Sequence, residues 1–172
     1  QLGASSASSC VFFALEWDIS SIDDSATITN VNFQYDIIYA SASAAACEFN
    51  AMAGQPSVLA AQALFDDITD GTTFYGPDSN CQTVANNYIV DLGANADSDV
   101  QSHLAGDWWG LGLANDPMTR IATSEYQGWA NEQIEITYII APAPDAITDL
   151  SDLNLDDNSL DLIWTEPGLN TG

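Results

Sequence analysis

The residue types that most often carry catalysis are sparse in this chain. Its 172 residues include one histidine, His103, and one basic side chain of the Lys/Arg type, Arg120. A Ser-His-Asp nucleophile would need His103 as its base, but no Gly-x-Ser-x-Gly segment is present. A single arginine without a glycine-rich loop cannot hold a phosphate group. Glycoside hydrolysis needs two carboxylates on either side of a sugar cleft, but among 25 acidic residues some pair will meet this condition by chance. The sequence therefore predicts a protein that is not an enzyme.

Calcium is the one ion that the sequence supports as a ligand. Asn95, Asp97 and Asp99 alternate as oxygen donors, and Asp91 lies close to them in the chain. The glycine and the final glutamate of an EF-hand loop are absent. The same residues also fit the start of a helix, with Asp97 as its cap and acids in the first turn. We predict that no cofactor is required and that Ca²⁺ is the candidate for Asp91, Asn95, Asp97 and Asp99.

Aromatic side chains are the other candidate binding groups. Trp108, Trp109, Trp129 and Tyr126 are of the type that stacks on sugars or packs against a partner. Successive residues of a strand point to opposite faces, so only one of Trp108 and Trp109 can face the core. The other is expected on a surface, either at a contact with a partner or on a glycan platform.

The charge excludes several partners. A net charge of −24 repels nucleic acid and anionic lipid, which proteins bind largely through lysine and arginine. No apolar run approaches the roughly 18–20 residues that span a bilayer, which argues against membrane insertion. So acidic a surface suits saline surroundings that screen its self-repulsion. The serine-rich start after Gln1 is expected to follow a removed signal peptide, which predicts an extracellular, cell-surface protein.

Three cysteines fit an oxidising compartment better than a zinc site. Their number is odd, they lack Cys-x-x-Cys spacing, and only one histidine accompanies them. The simplest pairing is Cys47 with Cys81, a disulfide that would stabilise the fold by about 3–4 kcal/mol in the chain-entropy model. Cys10 is then left either buried or in an intermolecular bridge.

Strand patterns dominate the elements that must position these residues. Alternating or apolar runs predict strands at 10–19, 26–39, 73–75, 85–92, 108–113 and 133–140. A helix is predicted from Pro56 to about Asp70, a second over 97–105, and a turn over 76–80. The phase of the second strand slips between Ile28 and Val31, which indicates a bulge. The sequence predicts an all-β, antiparallel, jelly-roll-like sandwich with one or two short helices.

One motif resembles a known family. The run from Trp17 to Phe33 is similar to the strand–turn–strand of DNRLRE-type extracellular repeat domains, with Asp23 and Ser25 where proline and glycine are usual. Residues 108–113 and 134–138 look like core strands of the same domains, so the resemblance covers about residues 10–140. It implies a jelly-roll module of secreted and cell-surface proteins in bacteria and archaea. The implied role is structural, adhesive or carbohydrate-associated, without catalytic residues.

The tail resembles a different module. It matches the first two strands of a fibronectin type III domain at Pro144, Ile147, Leu150, Leu160, Leu162, Trp164 and Pro167. We therefore predict a β-sandwich domain over 1–140, followed by a linker and the start of a fibronectin type III-like domain over 141–172. Two strands cannot close a core by themselves and must pack on something else.

These features predict a non-enzymatic structural subunit of a prokaryotic cell-surface appendage, filament, surface layer or adhesion array. Copies of the chain would assemble through strand and aromatic contacts at Trp109, Trp129, Ile147, Leu150, Leu160, Leu162 and Trp164. The alternative is a carbohydrate-binding module of a secreted or cell-surface protein, with glycans as its partners.

Overall fold

The computed structural model of the chain forms two compact units, Gln1–Ile139 and Ile140–Gly172, which are described separately below. The structure describes residues 2–6, 9–40, 46–69, 74–78, 80–116, 125–142, 151–156 and 159–163. Within these ranges, side chains are described for residues 12–40, 46–69, 75–76, 80–114 and 127–142.

The first unit is a sandwich of two antiparallel sheets. The first sheet has the order β2 (Ser9–Val11), β1 (Leu2–Ser6), β9 (Glu125–Ile139), β4 (Thr27–Ala40) and β7 (Ala85–Asp91). The second has the order β3 (Phe13–Asp18), β8 (Trp108–Asp116), β5 (Ala46–Ala51) and β6 (Phe74–Asp78). The chain alternates between the sheets so that β1-β9-β4-β7 faces β3-β8-β5-β6, which is the connectivity of a jelly roll. The predicted all-β fold class is confirmed.

The core lies between the sheets and is rich in aromatic rings. Strand β4 contributes Val31, Phe33, Tyr35 and Ile37, all fully buried, because alternate residues of a strand share one face. The Phe33 ring lies edge-on to Phe49 of the opposite sheet, with centroids 5.5 Å apart. The core also contains Ile19, Trp109, Leu111 and Leu113, with Phe13, Leu15 and Trp17 packed against it. Alternate residues of β3 therefore face the core.

The predicted disulfide is present. Cys47 on β5 is bonded to Cys81, which lies in a short 3₁₀ turn after β6, and both residues are fully buried. Cys10 lies on β2, and its side chain is outside the described residues.

Bulges bend the long central strand. The pairing of β4 with β9 shifts between Ile28 and Asn30, which confirms the predicted slip in phase. A second shift lies between Gln34 and Asp36. Here the Asp36 carboxylate accepts hydrogen bonds from the Asn87 backbone amide of β7 and from the Asn131 side chain of β9, both at 2.6 Å. Asn87 and Asn131 have positive φ angles of 58° and 56°, so Asp36 joins two bulged strands to the centre of the sheet. These two hydrogen bonds lower the pKa of Asp36 against the opposing effect of burial.

Several element boundaries differ from the sequence prediction. The run 10–19 forms two strands, β2 and β3, and the predicted turn over 76–80 begins as strand β6, which extends to Asp78. Helix α1 (Ala61–Thr69) begins five residues after Pro56. Helix α2 (Gly93–His103) begins four residues before Asp97, because Leu92, Ala96, Val100 and Leu104 recur every four residues and are all buried.

Candidate functional site

A segment that covers the outer face of the second sheet forms one wall of a cleft. This cover segment, residues 52–69, packs through Met52 and Ile68 onto Ala114 of β8. Two glycines of β8 permit the close approach. A Cβ atom on Gly110 would lie 3.0 Å from Pro56 Cγ, and one on Gly112 would lie 2.9 Å from Met52 Sδ. A larger residue at either glycine would therefore push the cover segment away from the sheet.

Two carboxylates hold the cover segment in place. Glu16 of β3 accepts hydrogen bonds from Gln55 Nε2 at 2.8 Å, from the Ser57 amide at 2.7 Å and from the Ser57 hydroxyl at 3.1 Å. Asp67 of α1 accepts hydrogen bonds from the amides of Ala53 and Gly54 at 3.2 and 2.9 Å. The start of the cover segment is thus held from both the sheet and the helix.

The cleft opens where the cover segment leaves the sheet, and it has a volume of about 800 Å³. Its lining combines a half-buried indole with three carboxylates, one side-chain amide and two hydroxyls. The polar and aromatic residues of this lining are Glu16, Asp18, Ser20, Gln55, Ser57, Asp107 and Trp108. Three carboxylates without a basic neighbour in the lining make the cleft strongly acidic.

The register of β3 and β8 sets the floor of the cleft. Asp18 lies directly opposite Trp108 in the antiparallel pair, at the end of both strands. Trp109 points into the core, so Trp108 must point to the outer face. The Trp108 ring and the His103 imidazole form an edge-to-face pair with centroids 4.5 Å apart, which fixes the indole from the side of α2. Asp18 accepts a hydrogen bond from the Ser20 amide at 2.9 Å, and the Ser20 hydroxyl, followed by this amide, lowers the pKa of Asp18.

Glu16 has a perturbed pKa for a reason that the geometry makes clear. Burial alone would raise the pKa of Glu16, but the three hydrogen bonds from Gln55 and Ser57 together outweigh it, and the pKa lies below its ordinary value of 4.5. A depressed carboxyl pKa contributes stability that is present above the unfolded pKa and is lost as the pH falls through the folded one. The attachment of the cover segment therefore weakens in acid.

We expect Glu16→Gln to destabilise the protein by about 1–2 kcal/mol at pH 7, because charge-assisted hydrogen bonds are replaced by neutral ones. The difference from the parent should shrink as the pH falls below about 4.5 and vanish below the folded pKa of Glu16. Urea denaturation at pH 7, 4.5 and 3 would measure it, with Asp24→Asn at an exposed position as the control. A difference that is constant over this range would contradict the assigned role of the carboxylate.

The only histidine of the chain occupies a structural position. His103 Nδ1 lies 2.9 Å from the Asp99 carbonyl oxygen, and because a carbonyl only accepts, Nδ1 carries the proton. The Ser102 hydroxyl donates to the same carbonyl at 2.8 Å. The Ser102 oxygen also lies 3.3 Å from His103 Nδ1, but because this nitrogen carries its own proton it cannot accept the proton of the serine. This geometry supplies no activated nucleophile at Ser102.

The four predicted calcium ligands do not converge. Residues two apart on a helix point about 200° apart, so α2 separates Asp97 from Asn95 and Asp99. Asp99 Oδ2 instead accepts hydrogen bonds from Tyr75 Oη at 2.6 Å and from Trp109 Nε1 at 2.8 Å. Asp91 accepts a hydrogen bond from the Gly93 amide. Across the described residues, no group of three acidic, histidine or cysteine side chains is arranged to hold a metal ion. The predicted Asp97 cap is wrong, because the helix begins earlier than the sequence indicated, and α2 does not bring the four predicted calcium ligands together.

The surroundings of the Asp97 carboxyl group disfavour its charged form. Burial, and then repulsion from the Asp91 carboxylate, raise the pKa of Asp97, and a backbone hydrogen bond from Val31 offsets only part of this effect. Its Oδ1 atom is buried without a hydrogen-bond partner among the described residues.

The predicted surface aromatics divide between core and surface. Trp109 is fully buried, so it is not a surface residue, and this prediction is wrong. Trp129 is half-buried and packs against Tyr35 at 4.5 Å between ring centroids, so it is mainly a core-packing residue. Trp108, which the sequence offered as the other member of the pair, reaches the surface. Of the tail residues, Ile147, Leu150 and Trp164 lie outside the described residues, and Leu160 and Leu162 are described only as part of a strand backbone.

Exposed apolar side chains concentrate on the first sheet. Among the described residues, five of the nine exposed large apolar side chains lie on its strands: Ile38 and Tyr39 on β4, Ile89 on β7, and Tyr138 and Ile139 on β9. Strand β7 pairs with β4 on one side and with no described strand on the other. The first sheet therefore presents both apolar side chains and, along β7, a backbone edge that is open among the described residues.

The second unit contains a two-stranded antiparallel sheet. It consists of β10 (Ser151–Asp156) and β11 (Ser159–Ile163), which pair with each other and with no other described strand. An isolated two-stranded sheet is marginally stable in water, so these strands need a further partner to be well ordered.

No protein-family model, no curated protein and no solved structure matches this chain. The resemblances to DNRLRE-type and fibronectin type III domains therefore stay predictions. No helix in the described part of the chain is long and apolar enough to cross a membrane.

The sequence reading missed most of the cleft. Glu16, Asp18, Gln55 and Asp107 are common polar residues in segments far apart in the chain, and only the pairing of β3 with β8 and the cover segment bring them together. The one available signal was the Trp108–Trp109 pair in a strand, which requires one indole on an outer face.

Proposed function

We propose that this protein is a non-enzymatic structural subunit of a prokaryotic extracellular assembly, such as a cell-surface appendage, filament, surface layer or adhesion array. Copies assemble when strands of one subunit add to a sheet of the next. The observation that carries the proposal is the open edge of β7, on which Ile89 is 59% exposed. An unpaired strand edge with an exposed aliphatic side chain is a template for strand addition.

The other edges of the two sheets are less suitable. Strand β2 has only three residues, and β6 contains Pro77, which has no amide hydrogen to donate. Strand β3 carries Glu16 and Asp18, and charged side chains are a common protection of sheet edges. The part of β7 over residues 88–91 pairs with β4 without a register shift, so its outer edge is regular enough to accept a strand.

The strands β10 and β11 of a neighbouring subunit are the proposed donors. They form a sheet of two strands that no other described strand borders, and residues 159–162 alternate polar and apolar. Adding them beside β7 would supply main-chain hydrogen bonds along the strand and bury the alternate apolar side chains. The resemblance of this tail to the first strands of a fibronectin type III domain supports a strand-forming tail.

An extracellular location is consistent with two observations. A buried disulfide between Cys47 and Cys81 is the type of bond that persists in oxidising compartments. A net charge of −24 keeps separate particles soluble, and ions of saline water would screen it enough for subunits to meet.

Removal of the tail tests the donor role. We expect the chain that ends at residue 140 to stay folded, because the described hydrophobic core lies within the first unit, and to sediment as a monomer. The full chain should form large species under the same conditions. A full-length chain with residues 143–172 in scrambled order keeps length and charge and is the control, which should also fail to assemble. Polymers formed by the truncated chain would contradict the role of the tail.

A further inference from the structure

We propose that the cleft beside Trp108 is a binding site for an uncharged saccharide, with a pyranose ring stacked on the Trp108 indole. This site lies on the second sheet, whereas the proposed assembly contact lies on the first. A test that contradicts one proposal therefore leaves the other unaffected.

The size and composition of the cleft fit a small polar ligand. Its volume of about 800 Å³ lies in the range of about 300–1,000 Å³ that is usual for small-molecule sites. The half-buried indole provides one flat apolar surface, and its orientation is fixed by the edge contact with His103. A pyranose ring matches such a surface through its C–H face and burial of that face excludes water.

The polar groups of the cleft demand hydrogen-bond donors from the ligand. Glu16 already accepts three hydrogen bonds from Gln55 and Ser57, so its main role is to hold the wall in shape. Asp18 bonds only to Ser20 among the described residues, and an ionised carboxylate offers about four lone-pair positions. Asp107 also lines the cleft and is exposed. Hydroxyl groups around a sugar ring are donors that can meet both carboxylates.

The charge of the protein selects among saccharides. Three carboxylates in the lining and a net charge of −24 repel uronic acids, sulfated sugars and phosphates. A small ammonium ion would satisfy the carboxylates, but it would fill little of the cleft. The match of one aromatic face, several acceptors and this volume therefore favours a neutral sugar.

Isothermal titration calorimetry on the full chain provides the test, with hexamers of glucose, mannose, galactose and N-acetylglucosamine as neutral probes and the glucosamine hexamer as a cationic probe. We expect at least one hexamer to bind, and Trp108→Ala to weaken it at least tenfold, because the stacking surface is lost. Trp108→Phe keeps a ring and should bind more tightly than Trp108→Ala, which separates loss of stacking from loss of folding. Tyr138→Ala, at a similarly exposed aromatic of the first sheet, should leave the affinity unchanged.

A further variant separates a sugar from a cation. Asp107 has a positive φ of 61°, which asparagine tolerates, so Asp107→Asn should preserve the backbone while it removes one charge. A neutral hexamer should lose affinity by about two- to tenfold, since the amide oxygen still accepts a hydrogen bond and only the charge assistance is removed, whereas a cationic hexamer should lose more. The proposal is overturned if no hexamer binds, if binding survives Trp108→Ala, or if only the amine-bearing glucosamine hexamer binds and loses affinity in Asp107→Asn.

Discussion

Replacement of Ile89 by glutamate is expected to convert assembling subunits into monomers without unfolding them. Ile89 lies on the edge strand β7 and is 59% exposed, so the substitution leaves the core intact. The proposed donor strands carry Asp152, Asp156 and Asp161, and a carboxylate beside them would lose the apolar contact and add repulsion. We expect a loss of about 2–4 kcal/mol per contact, which corresponds to a factor of roughly 30 to 1,000 in affinity.

Two matched variants make this result specific. Val58→Glu adds the same charge at a position of the cover segment that is 73% exposed, and it should assemble like the parent. Ile89→Val keeps a β-branched apolar side chain on the edge and should also assemble. Sedimentation velocity at equal protein and salt concentrations would compare all four chains. Assembly by Ile89→Glu equal to that of Val58→Glu would show that β7 is not the accepting edge.

Replacement of Asp99 by alanine is expected to destabilise the first unit by about 3–5 kcal/mol. The change leaves the Tyr75 hydroxyl and the Trp109 indole nitrogen without their acceptor, and both residues are buried. Each unpaired buried donor costs about 1–3 kcal/mol. Burial, and then the contact with Asp99, raise the pKa of Tyr75 far above its usual value, so the hydroxyl stays protonated and continues to need an acceptor.

Thermal and urea denaturation would measure this loss, with Asn95→Ala as the control. Asn95 lies one turn earlier on the same helix and is exposed, so its replacement should change the free energy of unfolding by less than about 1 kcal/mol. Asp99→Asn keeps an oxygen acceptor and should recover part of the lost stability. Equal stabilities for Asp99→Ala and Asn95→Ala would contradict the anchoring role of Asp99.

The parts of the fold that follow from local periodicity could be read from the sequence. The alternation of Val31, Phe33, Tyr35 and Ile37 predicts one buried face of a long strand, and the structure buries all four. Cys47 with Cys81 was predicted as the simplest pairing of the three cysteines in an oxidising compartment, and the structure confirms it.

The start of helix α2 was harder to predict, because two local sequence patterns indicate different first residues. Asp97 is a residue type that often caps a helix, so the sequence predicted the helix start there. The spacing of the buried residues Leu92, Ala96 and Val100 indicates an earlier start, but it is a weaker pattern because one of the three is alanine. Because the cap was placed too late in the chain, the acids of α2 were read as a calcium loop. Tertiary packing of one helix face decided the boundary.

The parts that depend on pairing distant segments could not be read at all. The cleft needs β3 and β8 in one register and a cover segment held by Glu16, and these groups come from three separate stretches of the chain. No local sequence pattern in any one of these stretches indicates that the cleft residues lie close together. The open edge of β7 likewise becomes visible only from the order of strands in the first sheet.

Electron microscopy of the protein as cells release it tests the central claim most directly. The account predicts regular filaments or sheets in which a strand from one subunit continues the first sheet of the next beside β7. Dispersed single particles at the concentration and salt of the surrounding medium would contradict a structural polymer.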